Sequence, residues 1–223
     1  MKLSIIIPAY NEEKTIAEVV KRSKRFTKTI IVVDDGSKDK TAAVAKRAGA
    51  VVLKHEKNLG KGESLKTGIE LAKKKRLDRI VIIDADLQYN PEDIPKIKDA
   101  LGKSDFVMGY RDWKLVPFRH WLGNFVWRSM FNLFFGTKLK DTNCGFIAMN
   151  MEAAEKLNFG GGYIIENAML ASAIENKLKI SQVKVRINYH HISGIPRGVR
   201  IVLGLLIFII RKGLKYRLGY DRD

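Results

Sequence analysis

Cysteine is almost missing from this chain: Cys144 is the only one in 223 residues. That excludes an internal disulfide, a Cys-based zinc site and a secreted disulfide scaffold. Acidic residues are also scarce, 24 Asp+Glu against 41 Lys+Arg, for a formal net charge of +17. Such an excess implies an anionic partner: nucleic acid, an anionic membrane surface or a phosphate-rich metabolite. Zinc-finger spacing and a ribonucleoprotein aromatic motif are both absent, which argues for no nucleic acid among the partners. A Gly-Lys-Ser/Thr phosphate loop is missing, as is the dinucleotide glycine fingerprint. Those absences disfavour an ATPase and a dehydrogenase. The apolar start, Met1-Lys-Leu-Ser-Ile-Ile-Ile-Pro8, is too short for a signal peptide, so a cytoplasmic start is expected. Near the other end, residues 201–210 carry no polar side chain. As a helix that run spans about 15 Å, half of a ~30 Å bilayer core, so no transmembrane span is expected.

What remains is an ordinary globular balance, 46% apolar and 29% charged, enough for a sizeable core. Through the first hundred residues strand patterns alternate with helix patterns. Strands are expected at 3–8, 29–33, 50–53, 79–83 and 105–108, with helices at 12–25, 39–49, 60–76 and after Asn90-Pro91. This alternation predicts an α/β fold: a mostly parallel sheet covered by helices on both faces. Ligands of open α/β sheets bind outside the carboxyl ends of the strands. Four such ends carry polar residues: Tyr10-Asn-Glu12, Asp34-Asp35, residues 84–88, and Arg111. They should lie along one rim.

Beyond Arg111 the pattern changes. Residues 113–135 hold all three tryptophans and five of the ten phenylalanines. From Phe118 on they read as a helix with His120, Asn124 and Arg128 on a narrow polar stripe, either a buried core helix or one lying at a membrane–water boundary. A short strand to Met149, helices at 151–157 and 164–177 and a strand at 180–188 follow. The apolar run 201–210 is flanked by Arg197 and Arg200 on one side and Arg211, Lys212, Lys215 and Arg217 on the other. That pattern suits an amphipathic helix lying in an anionic membrane interface. Docking on the protein's own core or on a partner subunit are the alternatives.

Chemistry concentrates at the strand ends. Asp84-Ala-Asp86 puts two carboxylates around one small residue, with Gln88 two positions on. Such a pair can share Mg²⁺ or Mn²⁺, which takes one or two carboxylates plus substrate phosphates. The metal would neutralise a diphosphate and help it leave. Val33-Asp-Asp-Gly-Ser37 offers a carboxylate to a base or a ribose, and Pro8-Ala-Tyr-Asn-Glu12 an aromatic face and a carboxylate. Asn58-Leu-Gly-Lys-Gly62 is a glycine-bearing loop able to approach a ligand closely.

Taken in order, Pro8-Ala-Tyr-Asn-Glu12, Val33-Asp-Asp-Gly-Ser37, residues 58–68 and Asp84-Ala-Asp-Leu-Gln88 resemble the family 2 glycosyltransferases of GT-A fold. The resemblance is closer to dolichyl-phosphate mannose synthases and related polyprenyl-phosphate hexosyltransferases, and covers roughly residues 2–190. Gly109-Tyr-Arg111 and the segment from Asp141 to Phe146 look like two further family segments. The resemblance implies that Pro8, Tyr10, Glu12, Val33 and Asp35 hold the nucleoside. It implies that Asp84, Ala85, Asp86 and Gln88 hold metal and diphosphate, with Asp86 and Gln88 foremost at the metal. Arg111 and Arg128 would grip phosphate, Arg111 on donor and acceptor alike, and Glu166 would sit near the sugar. In place of the family's Arg-Gly-Ser-Lys pattern after the late strand stands Asn188-Tyr-His-His-Ile-Ser-Gly194, so His190, His191 and Ser193 are expected to replace those contacts.

The expected activity is inverting transfer of a hexose, mannose from GDP-mannose first, to dolichyl or polyprenyl phosphate at the cytoplasmic membrane face, by a peripheral enzyme. UDP-glucose as donor is the alternative, as is a family 2 transferase acting on a saccharide hydroxyl. That last reaction needs a general base, with Asp141 the first suspect. A lipid monophosphate, already mostly dianionic at neutral pH, needs positioning instead. Residues 1–110 would serve as the nucleotide-sugar half, 111–194 as the acceptor half and 195–223 as a basic membrane-associating tail. An integral-membrane partner would be compatible with this arrangement.

Overall fold

The computed structural model describes residues 2–112, 118–160, 165–188 and 198–218. Among these residues seven strands form one sheet: β1 (Leu3–Ala9), β2 (Thr29–Asp34), β3 (Val51–Lys54), β4 (Arg79–Ile82), β5 (Phe106–Tyr110), β6 (Ile147–Asn150) and β7 (Ile180–Lys184). Their order is β3-β2-β1-β4-β6-β5-β7. Every pairing is parallel except those of β6, which runs antiparallel to both β4 and β5. The mostly parallel sheet expected from the alternation is therefore present, with one reversed strand inserted between β4 and β5. Ile5, Ile6 and Ile7 are all fully buried, as a central strand covered on both faces requires.

Among the described residues, eight α-helices surround the sheet: α1 (Ile16–Ser23), α2 (Thr41–Arg47), α3 (Lys61–Lys74), α4 (Ile94–Ala100), α5 (Phe118–Phe135), α6 (Met151–Lys156), α7 (Ile165–Glu175) and α8 (Gly198–Leu218). Helix α3 buries Leu65, Gly68, Ile69 and Ala72 on one face. Gly68 permits the approach to β1, since a Cβ there would lie 2.6 Å from Cγ2 of Ile6. Asn90 caps the short 3₁₀ turn Pro91–Asp93 by accepting the Glu92 N–H at 3.0 Å, the role its position before a proline predicts.

Helix α5 is buried along one face and exposed along the other. Asn124, Phe131 and Phe135 are buried, while Phe125, Val126 and Leu133 are exposed. Helix α8 runs for 21 residues, well past the apolar decade that marks it in sequence. It packs on α5 through the Phe135–Tyr216 ring pair and through Gly213, where a Cβ would meet Phe134 at 2.4 Å. Lys212 reaches Glu175 of α7 at 3.0 Å. So one face of α8 docks on the protein's own core, and Ile209 is fully buried there. Its other face presents Ile207, Ile210, Leu214 and Leu218 to solvent. Among the described residues, no helix is long and apolar enough to cross a membrane.

Candidate active site

Because β1, β2, β4 and β5 all point the same way, their carboxyl ends share one rim. A cavity of about 530 Å³ opens there. Its lining includes Pro8 and Tyr10 from the end of β1, Asp35 after β2, Lys61 and Ser64 from α3, and Asp84 after β4. Glu166, near the start of α7, completes the wall. Tyr10 is 42% exposed, an aromatic face held open toward the cavity.

The turns that end β1 and β4 each contain a non-glycine residue in the left-handed region, Asn11 at φ 57° and Leu87 at φ 61°. Backbone strain of this kind costs about 1–3 kcal/mol and collects at functional sites. The Asn11 turn is stitched to the end of β2: its N–H donates to Ser37 Oγ at 2.9 Å, and its Oδ1 accepts the Lys38 N–H at 2.9 Å. At the Leu87 turn, Asp86 Oδ1 accepts the Gln88 N–H at 3.0 Å. Burial raises the Asp86 carboxyl to about 6, and the neighbouring Asp84 charge adds to the rise.

Asp35 lines the cavity, and its carboxylate is engaged by the glycine loop. Oδ1 accepts the Leu59 N–H at 2.9 Å, Oδ2 the Gly60 N–H at 2.8 Å, and His55 Nδ1 lies 2.7 Å from Oδ1. Gly60 itself sits at φ 94°, open to glycine alone without strain. Asp35 thus fixes where α3 begins, and with it the position of Lys61. The Lys61 ammonium bridges two carboxylates, Asp84 Oδ1 at 2.7 Å and Glu166 Oε1 at 2.9 Å. Those two anions hold its pKa well above the usual lysine range, against the opposing effect of burial.

Arg111 lies deeper. Its guanidinium grips Asp141 in a bidentate pair, Nε to Oδ2 at 2.7 Å and Nη2 to Oδ1 at 2.9 Å, and also donates to Asn124 Oδ1 at 3.2 Å. Asn143 Nδ2 donates to the same Asn124 oxygen at 2.9 Å, and Asn167 Nδ2 donates to Asn143 Oδ1. A buried polar chain thereby joins β5, α5, the Asp141 loop and α7. Tyr89 accepts the Gly145 N–H at 2.8 Å and ties that loop to the Asp84–Asp86 turn.

Of the residues singled out from sequence, Pro8, Tyr10, Asp35, Asp84 and Glu166 meet at the cavity. Asp86 adjoins Asp84 and Glu12 closely enough to feel both charges. Val33 and Ala85 are buried backbone positions of the same rim. Glu12 accepts the Thr15 hydroxyl at 2.7 Å. Gln88 hands its carbonyl to the Asn188 N–H at 2.8 Å, joining the turn after β4 to the segment after β7. Arg128 stands apart from the cavity wall, donating to the Lys140 carbonyl at 3.3 Å and lying over the Phe125 ring. His190, His191 and Ser193 lie outside the described residues.

The carboxylates fit a divalent cation on three local observations. Gly145 keeps the space beside Asp84 clear, since a Cβ there would lie 2.6 Å from Asp84 Oδ2. The Lys61 ammonium already stands against Asp84 as a cation would. The buried hydroxyl of Ser64, on the cavity wall, has no protein partner. Among the described residues no group of three or more His, Cys, Asp or Glu side chains forms a self-contained metal cage. A site of two carboxylates completed by substrate phosphates needs none.

The profile of the family described as "Glycosyl transferase family 2" matches residues 4–157. The chain belongs to that family. This family 2 glycosyltransferase is 31% identical to the UDP-N-acetylglucosamine–dolichyl-phosphate N-acetylglucosaminyltransferase of Methanococcus voltae, over 92% of each chain. It is also 31% identical to the dolichyl-phosphate beta-glucosyltransferase of Dictyostelium discoideum, over 86% of this chain and 67% of the relative. Among solved structures, glucosyl-3-phosphoglycerate synthase from Mycobacterium tuberculosis, crystallised with Mn²⁺, UDP and phosphoglyceric acid, superposes with a TM-score of 0.81. That match covers 95% of this chain and 78% of the other at 22% identity, and establishes the GT-A fold.

Sequence reasoning reached the Lys61 loop as a glycine-bearing turn and missed the lysine itself. The signal was present: Gly60 and Gly62 flank it, and both are required. A Cβ at Gly62 would lie 2.5 Å from the Phe159 carbonyl oxygen. Two glycines bracketing one charged residue at a helix start present that residue to the space in front of the helix.

Proposed function

We propose that this glycosyltransferase moves a sugar from a nucleotide sugar to a dolichyl or polyprenyl monophosphate, inverting the anomeric configuration in one in-line displacement. The observation that carries the choice of acceptor is the state of Asp141, the carboxylate first expected to serve as a base: Arg111 holds it in a buried ion pair. A hydroxyl acceptor needs a free base to take its proton, and a carboxylate paired this way is a poor one. A phosphate acceptor is an anion already and needs only positioning and charge screening. The names of both relatives, each a dolichyl-phosphate transferase, support the same acceptor.

For the donor, those relatives favour a UDP-linked sugar of the glucose series over GDP-mannose, which remains one arm of the test. Tyr10 offers its exposed ring to the base, and the Pro8–Ala9 backbone walls the nucleoside. Asp84 and Asp86, with Gln88 beside them, would hold Mg²⁺ or Mn²⁺, which supplies charge neutralisation for the departing diphosphate. Lys61 adds a second positive charge at the same place, and Glu166 faces the sugar. Arg111 acts by setting the Asp141 loop and, through it, the floor of the site.

In this reading residues 1–110 take the nucleotide sugar, 111–194 the acceptor phosphate and 195–223 the anionic membrane. The exposed apolar faces of α5 and α8 support a peripheral enzyme at a membrane surface. The test is transfer of label from UDP-glucose, UDP-N-acetylglucosamine and GDP-mannose to dolichyl phosphate, with Mn²⁺, Mg²⁺ or EDTA. Metal-dependent label in the organic phase from one donor is expected. Metal-dependent donor hydrolysis with no lipid label under any condition would overturn the lipid acceptor.

A further inference from the structure

We propose that Lys61 is a resident counter-ion of the metal-binding carboxylates, occupying Asp84 until a nucleotide diphosphate draws it away. The inference rests on the reading above that metal and diphosphate share this cavity.

The geometry sets up a competition. The ammonium lies 2.7 Å from Asp84 Oδ1 and 2.9 Å from Glu166 Oε1, while Asp86 stands beside Asp84. A divalent cation on Asp84 would meet the ammonium at contact distance from the same carboxylate. Two like charges that close repel strongly in a partly buried site. With Lys61 in place, the metal alone binds a carboxylate that is already neutralised. Once a diphosphate enters, the ammonium has a better partner, because lysine serves as a point charge for phosphate. It need not travel far. Lys61 is the first residue of α3, and its backbone holds it at the cavity wall beside Ser64, whose buried hydroxyl lacks a protein partner. The space next to the ammonium is kept open by Gly145, where a Cβ would lie 2.9 Å from Lys61 Nζ.

Two consequences have opposite signs. Removing the Lys61 charge frees Asp84, so metal binds more tightly without nucleotide. The same removal takes a cation from the diphosphate, so nucleotide binds more weakly without metal. A residue that merely supported the fold would weaken both, and one that only held phosphate would leave metal binding unchanged.

The experiment uses the full chain without lipid. Mn²⁺ binding in the absence of nucleotide is followed by the electron paramagnetic resonance signal of free Mn²⁺. UDP and GDP binding in EDTA is followed by calorimetry. Lys61→Met and Lys61→Gln are compared with wild type and with Lys61→Arg, each checked by circular dichroism. Lys61→Met and Lys61→Gln should bind Mn²⁺ about tenfold more tightly than wild type. They should bind the nucleotide about tenfold more weakly. Lys61→Arg should stay near wild type in both. If either neutral variant folds and binds Mn²⁺ no more tightly than wild type, the counter-ion role is overturned. A matching gain in Lys61→Arg would overturn it equally, and so would Mn²⁺ that binds none of the proteins. The lipid acceptor does not enter this experiment, so a failed transfer to dolichyl phosphate with the two opposite shifts intact would remove the acceptor and leave the counter-ion standing.

Discussion

Arg111 and Asp141 form a buried bidentate ion pair, with guanidinium nitrogens 2.7 and 2.9 Å from the two carboxylate oxygens. The pair fixes the loop that carries Asn143, Cys144 and Gly145 against the floor of the site. It also removes Asp141 from the set of available bases. Breaking a buried pair from one side leaves an uncompensated charge, at a cost of about 3–5 kcal/mol. We predict that Asp141→Ala and Arg111→Ala each destabilise the protein by that amount. The double variant should cost less than the two combined. Denaturant melts of the four proteins measure this, and strict additivity would show that the pair is not coupled.

Asp86 carries a different tension. Burial and the Asp84 charge raise its carboxyl from 3.8 to about 6. A carboxylate whose folded pKa lies above its unfolded value destabilises the fold at neutral pH, and that penalty fades as pH falls through about 6 toward 3.8. Asp86→Asn should therefore stabilise the metal-free protein at pH 7.5 by about 1–2 kcal/mol. The gain should disappear near pH 4. The same change should abolish metal-dependent transfer. Thermal melts across pH, with EDTA present, check the first part. A variant less stable than wild type at pH 7.5 would refute it.

The strand-end motifs were legible in sequence because chemistry and topology agree there. Tyr10, Asp35 and Asp84 each follow a short β-branched or aliphatic run, and parallel strands bring such ends to one rim. The reversal of β6 was not legible. Its sequence, Ile147–Asn150, is as apolar as any neighbour, and direction depends on a connection through α5 that no local pattern encodes. Arg111 was legible as a cation at a strand end, but the partner that positions it was not, because that partner lies far along the chain. Asp141, thirty positions away, is what it grips. The tail misleads by its own composition: ten apolar residues between basic flanks suggest a helix of that length, yet the basic residues are good helix formers too and α8 runs for 21.

Asp93 governs acid stability far from the cavity. Fully buried, it accepts the Arg186 N–H at 2.7 Å and the Arg186 guanidinium at 2.9 Å, with Lys96 Nζ at 3.0 Å. Against burial, those donors hold its pKa below the ordinary 3.8. A depressed carboxyl contributes stability above its unfolded pKa and loses it as pH falls through the folded value. Asp93→Asn should cost about 1.5–3 kcal/mol at pH 7. The gap to wild type should begin to close only below about pH 4 and vanish in stronger acid. Urea melts from pH 7 to pH 2 decide this, and a pH-independent gap would assign the loss to packing alone.

Testing α8 as a membrane contact, as proposed above, requires a subtler change than removing it. Deleting residues 197–223 would strip Ile209 from the core and Lys212 from Glu175, so lost liposome binding could reflect lost structure. Ile207, Ile210, Leu214 and Leu218 are exposed and recur at helical spacing along one stripe. Exposed Arg211 and Lys215 lie beside them, a pairing suited to an anionic interface. Ile207→Asp with Leu214→Asp should leave the melting temperature within about 2 °C of wild type, because both side chains already face solvent. Sedimentation with anionic liposomes should fall at least about tenfold, through lost apolar insertion and added like-charge repulsion. Donor binding in solution should be unchanged, since neither residue approaches the cavity wall. If the double variant pelleted with liposomes as wild type does, the exposed stripe would not be the membrane contact, and α5 with Phe125, Val126 and Leu133 would be the next surface to alter.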